Sequence, residues 1–145
     1  MKTILKTFVS LLLLFNSIGT IYGGLNLIIY PDGNSIQMSL DYLEHSPFNN
    51  YLIPGIILFV ANGLFSLFVL IAVLSNLKNY SLLIITQGCI LTGWIEIQII
   101  MIRSFIYLHA VFGSAGVLLI LIGWIISKTE HSKAEETKTG IKIAG

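Results

Sequence analysis

Long apolar stretches without charge, separated by short polar ones, make up the pattern along this chain. Residues 7–31, 45–77 and 104–127 carry no formal charge, and between 79 and 102 the single charge is Glu96. A helix needs about 20 mostly apolar residues to cross about 30 Å of hydrocarbon. The pattern therefore predicts four membrane-spanning helices, over 7–29, 52–74, 82–102 and 106–126. Pro54 falls in the first turn of the second, where its missing N–H costs nothing. Short connections at 75–81 and 103–105 make spans two, three and four antiparallel neighbours. The expected fold is all-α: an antiparallel four-helix transmembrane bundle over 7–127, with an outer loop at 30–51.

The first span has a rival reading as a cleaved signal peptide. It has a basic start at Lys2 and Lys6, an apolar run from Phe8 to Phe15, and small residues at Ser17 and Gly19. Apolar character nevertheless continues through Leu25, Leu27, Ile28 and Ile29, and no A-x-A site follows, so a retained helix is expected. In the loop, Pro31-Asp32-Gly33 signals a turn. Ser39 to His45 can form one or two helical turns, with Leu40 and Leu43 dipping toward the membrane. Ser46-Pro47 then stops them, because the residue before proline is pushed out of the helical region. A connector lying on the bilayer is the expectation for this loop, and a ligand-binding lid the alternative.

Composition agrees with a membrane protein. Of 145 residues, 55% are hydrophobic and 10% charged, against roughly 25% charged in soluble proteins. The charges also orient the chain. With both termini inside, Lys2, Lys6, Lys78, Lys128, Lys133, Lys138 and Lys142 are cytoplasmic, and only Arg103 lies outside. The positive-inside rule then places residues 1–6 and the tail 128–145 in the cytoplasm. Mixed charge and few apolar residues predict a disordered tail. A net charge of +1 offers no basic patch for nucleic acid. Cys89 is the only cysteine, which excludes internal disulfides, CxxC redox chemistry and cysteine-based zinc sites.

Gly23-Gly24-Leu25, Pro31-Asp32-Gly33, and Ser46-Pro47-Phe48 running into Leu52-Ile53-Pro54-Gly55 form a recognisable series. With Gly93-Trp94-Ile95 and Gln98, they resemble a group of small, uncharacterised four-helix membrane proteins of bacteria, over roughly residues 20–125. The resemblance implies the four-span topology and a bacterial cytoplasmic membrane. It implies no chemistry.

Ionisable groups inside a span are costly and mark candidate sites. Glu96 is the clearest. At 100° per residue, Cys89, Thr92, Gly93 and Arg103 share its face, and His109, Gly113, Gly116, Gly123 and Ser127 form a matching stripe on the fourth span. Small residues let membrane helices approach closely, so these faces are expected to meet, with Glu96 level with Gly113. One reading makes Glu96, Arg103 and His109 an outward-facing polar site. The other has Arg103 reaching the head groups and Glu96 acting as packing glue. Asn16 and Asn62, near mid-membrane, are expected to form interhelical hydrogen bonds. Gln87, Trp94 and Gln98 lie opposite Glu96, facing another helix or subunit, and Trp124 reads as an interfacial anchor.

Two function classes stay open. The first is a non-enzymatic structural or accessory protein, with the lipid bilayer and a membrane-protein partner or second copy as its associates. The second is a small transporter or membrane-embedded enzyme at Glu96, Arg103 and His109. The second is weakened by the lack of an internal repeat. No cofactor-binding or metal-binding motif is present in the sequence.

Overall fold

The computed structural model describes residues 2–103 and 107–144, which are all-helical apart from turns. Helix α1 spans Lys2–Ile29, α2 Leu52–Leu74, α3 Tyr80–Ile102 and α4 Tyr107–Ala144. Each holds a segment long and apolar enough to cross a membrane, with mean hydropathies from 1.6 to 2.7. The surface agrees: Leu11, Ile18, Ile71, Ile100 and Leu121 are each more than half exposed. Apolar exposure on this scale is untenable in water and ordinary against lipid. The chain is a multi-pass membrane protein built as a four-helix bundle.

The bundle consists of two tight pairs, α1 with α2 and α3 with α4, joined by sparser contacts of α1 with α4 and of α2 with α3. Glycine sets the tightness of both seams. In the first pair a Cβ added at Gly24, Gly55 or Gly63 would lie 2.8 Å from Phe59, Leu27 or Ile21. In the second, a Cβ at Gly88 would meet the main-chain oxygen of Gly116 at 2.7 Å, and one at Gly123 would meet Ile85 at 2.8 Å. Lipid tails are as apolar as leucine, so no hydrophobic force drives membrane helices together. Close approach replaces it with many small dispersion contacts.

Within α2, residues Leu58–Leu64 are wound as a π-helix. The wider turn closes each main-chain hydrogen bond over five residues instead of four. From this segment the main-chain oxygen of Asn62 accepts a bond from Nδ2 of Asn16, at 3.1 Å. One turn further along α2, the Ser66 hydroxyl donates to the main-chain oxygen of Leu13, at 3.1 Å. These two bonds fix the register of α1 against α2.

At the Lys6 end, the turn between α2 and α3 places Asn76 and Asn79 in the left-handed region, at φ 52° and 63°, which asparagine tolerates. Lys6 donates to the side-chain oxygen of Asn76. Trp124 is exposed there, with the Lys128 ammonium 4.0 Å from its ring centre, as suits an interfacial anchor.

The tail departs from expectation. Disorder was expected from Lys128, whereas α4 remains helical to Ala144. The Ser81 hydroxyl donates to a Glu130 carboxylate oxygen at 2.9 Å, tying the first added turn to α3. No proline follows Pro54, and Lys133, Ala134, Glu135 and Glu136 are strong helix formers. Helix α3 also begins at Tyr80, two residues before the expected Leu82. The turn expected at Ser104 and Phe105 lies outside the described residues.

Candidate functional site

The loop between α1 and α2 is a folded cap. Gly33 takes φ +77°, as the Pro31-Asp32-Gly33 turn requires, and Asp32 accepts from the main-chain N–H of Asn34 at 3.2 Å. Short 3-10 turns follow at Asn34–Ile36 and Leu40–Leu43. Ser39 caps the second, its hydroxyl oxygen accepting from the N–H of Asp41. Leu43 is buried with Leu27 and Tyr51 in a cluster that Met38, Phe48 and Met101 pack against. Leu40, expected to point the same way, lies beyond that cluster and is 44% exposed.

Tyr51 holds the cap down. Its hydroxyl donates to the main-chain oxygen of Ser39 at 2.6 Å, and its N–H donates to that of Pro31 at 2.8 Å. Burial, and after it the charges of Tyr42 and Asp41, push its pKa up to about 12. The phenol therefore stays neutral and able to donate.

Beneath the cap lies a cavity of about 420 Å³. It occupies the gap between the two glycine-closed pairs at the loop end of the bundle. Gly19, Thr20 and Gly23 of α1 and Leu58 of α2 form one wall, and Trp94, Gln98, His109 and Phe112 of α3 and α4 the other. Ile36, Met38 and Leu43 roof it. Among the described lining residues none is Asp, Glu, Lys or Arg. Leu108, 57% exposed on α4, lines the side toward lipid.

The order of residues along the helices shows what lies below. On α1, Thr20 at the cavity is followed toward the Lys6 end by Asn16 and then Leu13. On α2, Leu58 is followed by Asn62 and then Val69. On α3, Leu91 is followed by Gln87 and then Ile84. The bundle is thus layered: cavity, then three amide side chains, then an apolar cluster. Asn16, Asn62 and Gln87 are fully buried. Apart from the Asn16 bond, their side-chain polar atoms have no partner among the described residues. The apolar layer holds Val9, Leu13, Val69, Ile84, Leu119 and Ile126, all at most 1% exposed.

The residues singled out from the sequence separate into two groups. Asn16 and Asn62 come together, with the acceptor on the main chain of Asn62. His109 is buried and lines the cavity. Glu96 and Arg103 are exposed, line no cavity with His109, and have no side-chain partner among the described residues. The reason is one step of helix rotation. Ile95 is the residue that faces Gly113, its Cγ2 3.6 Å from a Cβ built there, and the next residue turns 100° away. Cys89 is exposed and Gly93 has nothing within 4 Å, so the small face expected to meet α4 points outward. Of that face only Thr92 meets α4, beside Gly116, and Gly88 stands there with it.

Sequence reasoning placed Trp94 opposite Glu96, on a face meeting another helix or another subunit, and the structure puts it inside the bundle. Trp94 is 8% exposed at the cavity wall, and its Nε1 has no hydrogen-bond partner among the described residues. The role of Tyr51 carried no signal beyond a tyrosine at the head of a span. Comparison with protein-family models, curated proteins and solved structures finds no match to this chain.

Proposed function

We propose that this chain is a non-enzymatic protein of the bacterial cytoplasmic membrane that holds an apolar or amphipathic small molecule beneath its outward-facing loop. Both termini lie in the cytoplasm in this reading, which rests on the seven lysines at one end of the bundle against Arg103 at the other. Retention of α1 is supported by its contribution of Val9, Leu13 and Leu27 to the core. The observation that carries the binding role is the 420 Å³ cavity, within the size range of small-molecule sites, with apolar walls and few polar groups.

Binding is favoured over transport by what lies below. A carrier needs a route to the second face, and the apolar layer from Val9 to Ile126 fills the bundle there. An enzyme at Glu96, Arg103 and His109 is disfavoured because Glu96 and Arg103 lie outside the cavity that His109 lines. A carboxyl group facing hydrocarbon is costly alone, and a neighbouring membrane protein or second copy at the α3 face would give Glu96 its partner. The role is thus that of an accessory component among other membrane proteins.

Gly23→Leu tests this reading. A Cβ at Gly23 meets only Leu58 Cδ2, at 3.6 Å, so a larger side chain can grow into the cavity without moving the backbone. Mass spectrometry of the purified proteins in mild detergent should find a small molecule released by the wild type and absent from a folded Gly23→Leu protein. Equal loading of the two proteins, or none in either, would sink the proposal.

A further inference from the structure

The surface that faces lipid is uneven. On α1 from Phe8 to Ile29, and on α2 from Leu52 to Leu74, every exposed residue is large and apolar. Such faces suit hydrocarbon and need no partner. Helix α3 differs. Its outer side carries exposed Thr86, Cys89 and Glu96, with Gly93 between the last two and nothing within 4 Å of a Cβ built there. Steps of three, four and three residues put all four on one face. Exposed Ala110 and Ser114 of α4 stand near Gly113, which packs against Ile95, so the small residues of α4 lie at the depth of Glu96.

Two needs meet on this face. Glu96 lies six residues before Ile102, about 9 Å in from the loop end of α3 at 1.5 Å per residue. Its carboxyl has no side-chain partner among the described residues, and hydrocarbon supplies none. Gly93 and Cys89, four residues apart, leave room for a helix to approach closely. One helix seated here would both bond the carboxyl and pack on Gly93.

The face is complementary to its own copy. All copies insert in the same direction, so two α3 helices meet in parallel about a two-fold axis, and each residue on that axis faces itself. Small residues then meet small ones. A carboxyl group that holds its proton donates as well as accepts, so two Glu96 side chains bond through a shared proton, as paired acids do. A foreign helix would have to bring a matching polar group to this depth, whereas a second copy brings one by symmetry. Arg103, at the end of α3, reaches the head groups and stays out of the contact.

We infer that two copies of this chain associate in parallel through the outer face of α3, with closest approach at Gly93 and the Glu96 carboxyls hydrogen-bonded across the axis. The second copy is thus the membrane partner in the accessory role proposed above, and its docking is independent of the cavity.

Cys89, the only cysteine, reports the contact. Native membranes oxidised with copper–phenanthroline should yield a covalent dimer of the wild type and none of Cys89→Ser. In the Cys89→Ser background, Thr86→Cys should restore the dimer. Ile18→Cys, 62% exposed on α1 at about the same depth, should not. Gly93→Leu fills open space within one protomer and should remain folded by circular dichroism. It should raise the dimer dissociation constant about tenfold, read by energy transfer between labelled copies diluted in mild detergent. Gly93→Ala keeps the face small and should dimerise normally. Glu96→Gln keeps a donor and an acceptor and should do the same, while Glu96→Leu should weaken the dimer about threefold. Cross-linking through Cys89 no better than through Ile18→Cys overturns the pairing, and so does a dimer indifferent to Gly93→Leu. Indifference to Glu96→Leu overturns the carboxyl contact. A Cys89 adduct with a different protein in place of the dimer overturns the second copy as occupant. A monomeric wild type that still releases its small molecule overturns the dimer and leaves the binding role standing; a Cys89-linked dimer that releases none does the reverse.

Discussion

Two glycines five residues apart on α3 make opposite demands. A Cβ at Gly88 would sit 2.7 Å from the Gly116 oxygen, 2.7 Å from Ile120 Cγ1 and 2.9 Å from the Ile120 nitrogen. Non-bonded carbons rest at about 3.5–4.0 Å, so the overlap is close to 1 Å, and two of the three obstacles are main chain that cannot rotate aside. Gly88→Ala must therefore push α3 from α4 along the seam, and overpacking of this kind costs about 1–3 kcal/mol. Gly93→Ala meets nothing within 4 Å and gains up to about 1 kcal/mol of helix propensity. Gly88→Ala gains the same propensity, so the two variants should differ by the overpacking cost of about 1–3 kcal/mol, or about 5- to 150-fold in the folding equilibrium. Reversible unfolding in mixed micelles of mild detergent and SDS, followed by tryptophan emission, measures the difference. If Gly93→Ala is the damaging substitution and Gly88→Ala is harmless, α3 presents its other face to α4 and the reasoning is refuted.

The Tyr51 hydroxyl bond to Ser39 should contribute about 0.5–1.5 kcal/mol to the cap. Tyr51→Phe should accordingly raise hydrogen exchange at residues 39–43 and leave the buried helix centres unchanged. The phenol's folded pKa is raised, to about 12 from an ordinary 10. Its contribution is thus fully present below pH 10 and is lost as pH rises through 12. Thermal unfolding of the wild type should weaken over that window, and more steeply than that of Tyr51→Phe; parallel curves would refute the assignment. Glu96→Gln should leave abundance, thermal unfolding and the small molecule released from the purified protein as in the wild type, and loss of that molecule from a folded protein would return Glu96 to the site. Reporter fusions after Asn34 and after Lys128 should read outside and cytoplasm respectively, and the reverse result would invert the orientation.

Much of the fold was legible because a membrane makes simple demands. Charge-free length alone located the helices, since each backbone polar group in hydrocarbon must be paired within a helix. Depth along a helix was legible too, which is why Asn16 and Asn62 could be matched, and why Gly113 was placed level with the middle of α3. Rotation about the helix axis was harder to read. The third span carries small or polar residues around much of its circumference, Gly88 on one side, Cys89, Gly93 and Glu96 on another, and Thr92 between them. In water, burial of apolar surface would tell the two faces apart, but in lipid either can face out. Backbone clearance decided it, through contacts between Gly88 and Gly116 that only three-dimensional placement reveals.

The same ambiguity explains why the cavity was not legible. A cavity is what remains when other surfaces meet, and here it follows from two independent seams. Gly24, Gly55 and Gly63 draw α1 onto α2, while Gly88, Gly116 and Gly123 draw α3 onto α4. Each pair satisfies its own packing, and the pairs meet through Phe112 of α4, which stacks on Phe15 of α1 at 5.5 Å and would lie 3.1 Å from a Cβ at Gly19, while Thr20 and Gly23 are too small to fill the gap beside it. Toward the Lys6 end, Leu13, Val69, Ile84 and Leu119 are large enough to fill it. Side-chain volume along the axis thus grades from small at the cap to large below, which makes the space a cup closed at its floor. The loop, built of turn residues and held by Tyr51, then closes the rim. A glutamate in a membrane span attracts attention in a sequence because its cost is local. The cavity owes its existence to residues on four helices, and no single one of them marks it in the sequence.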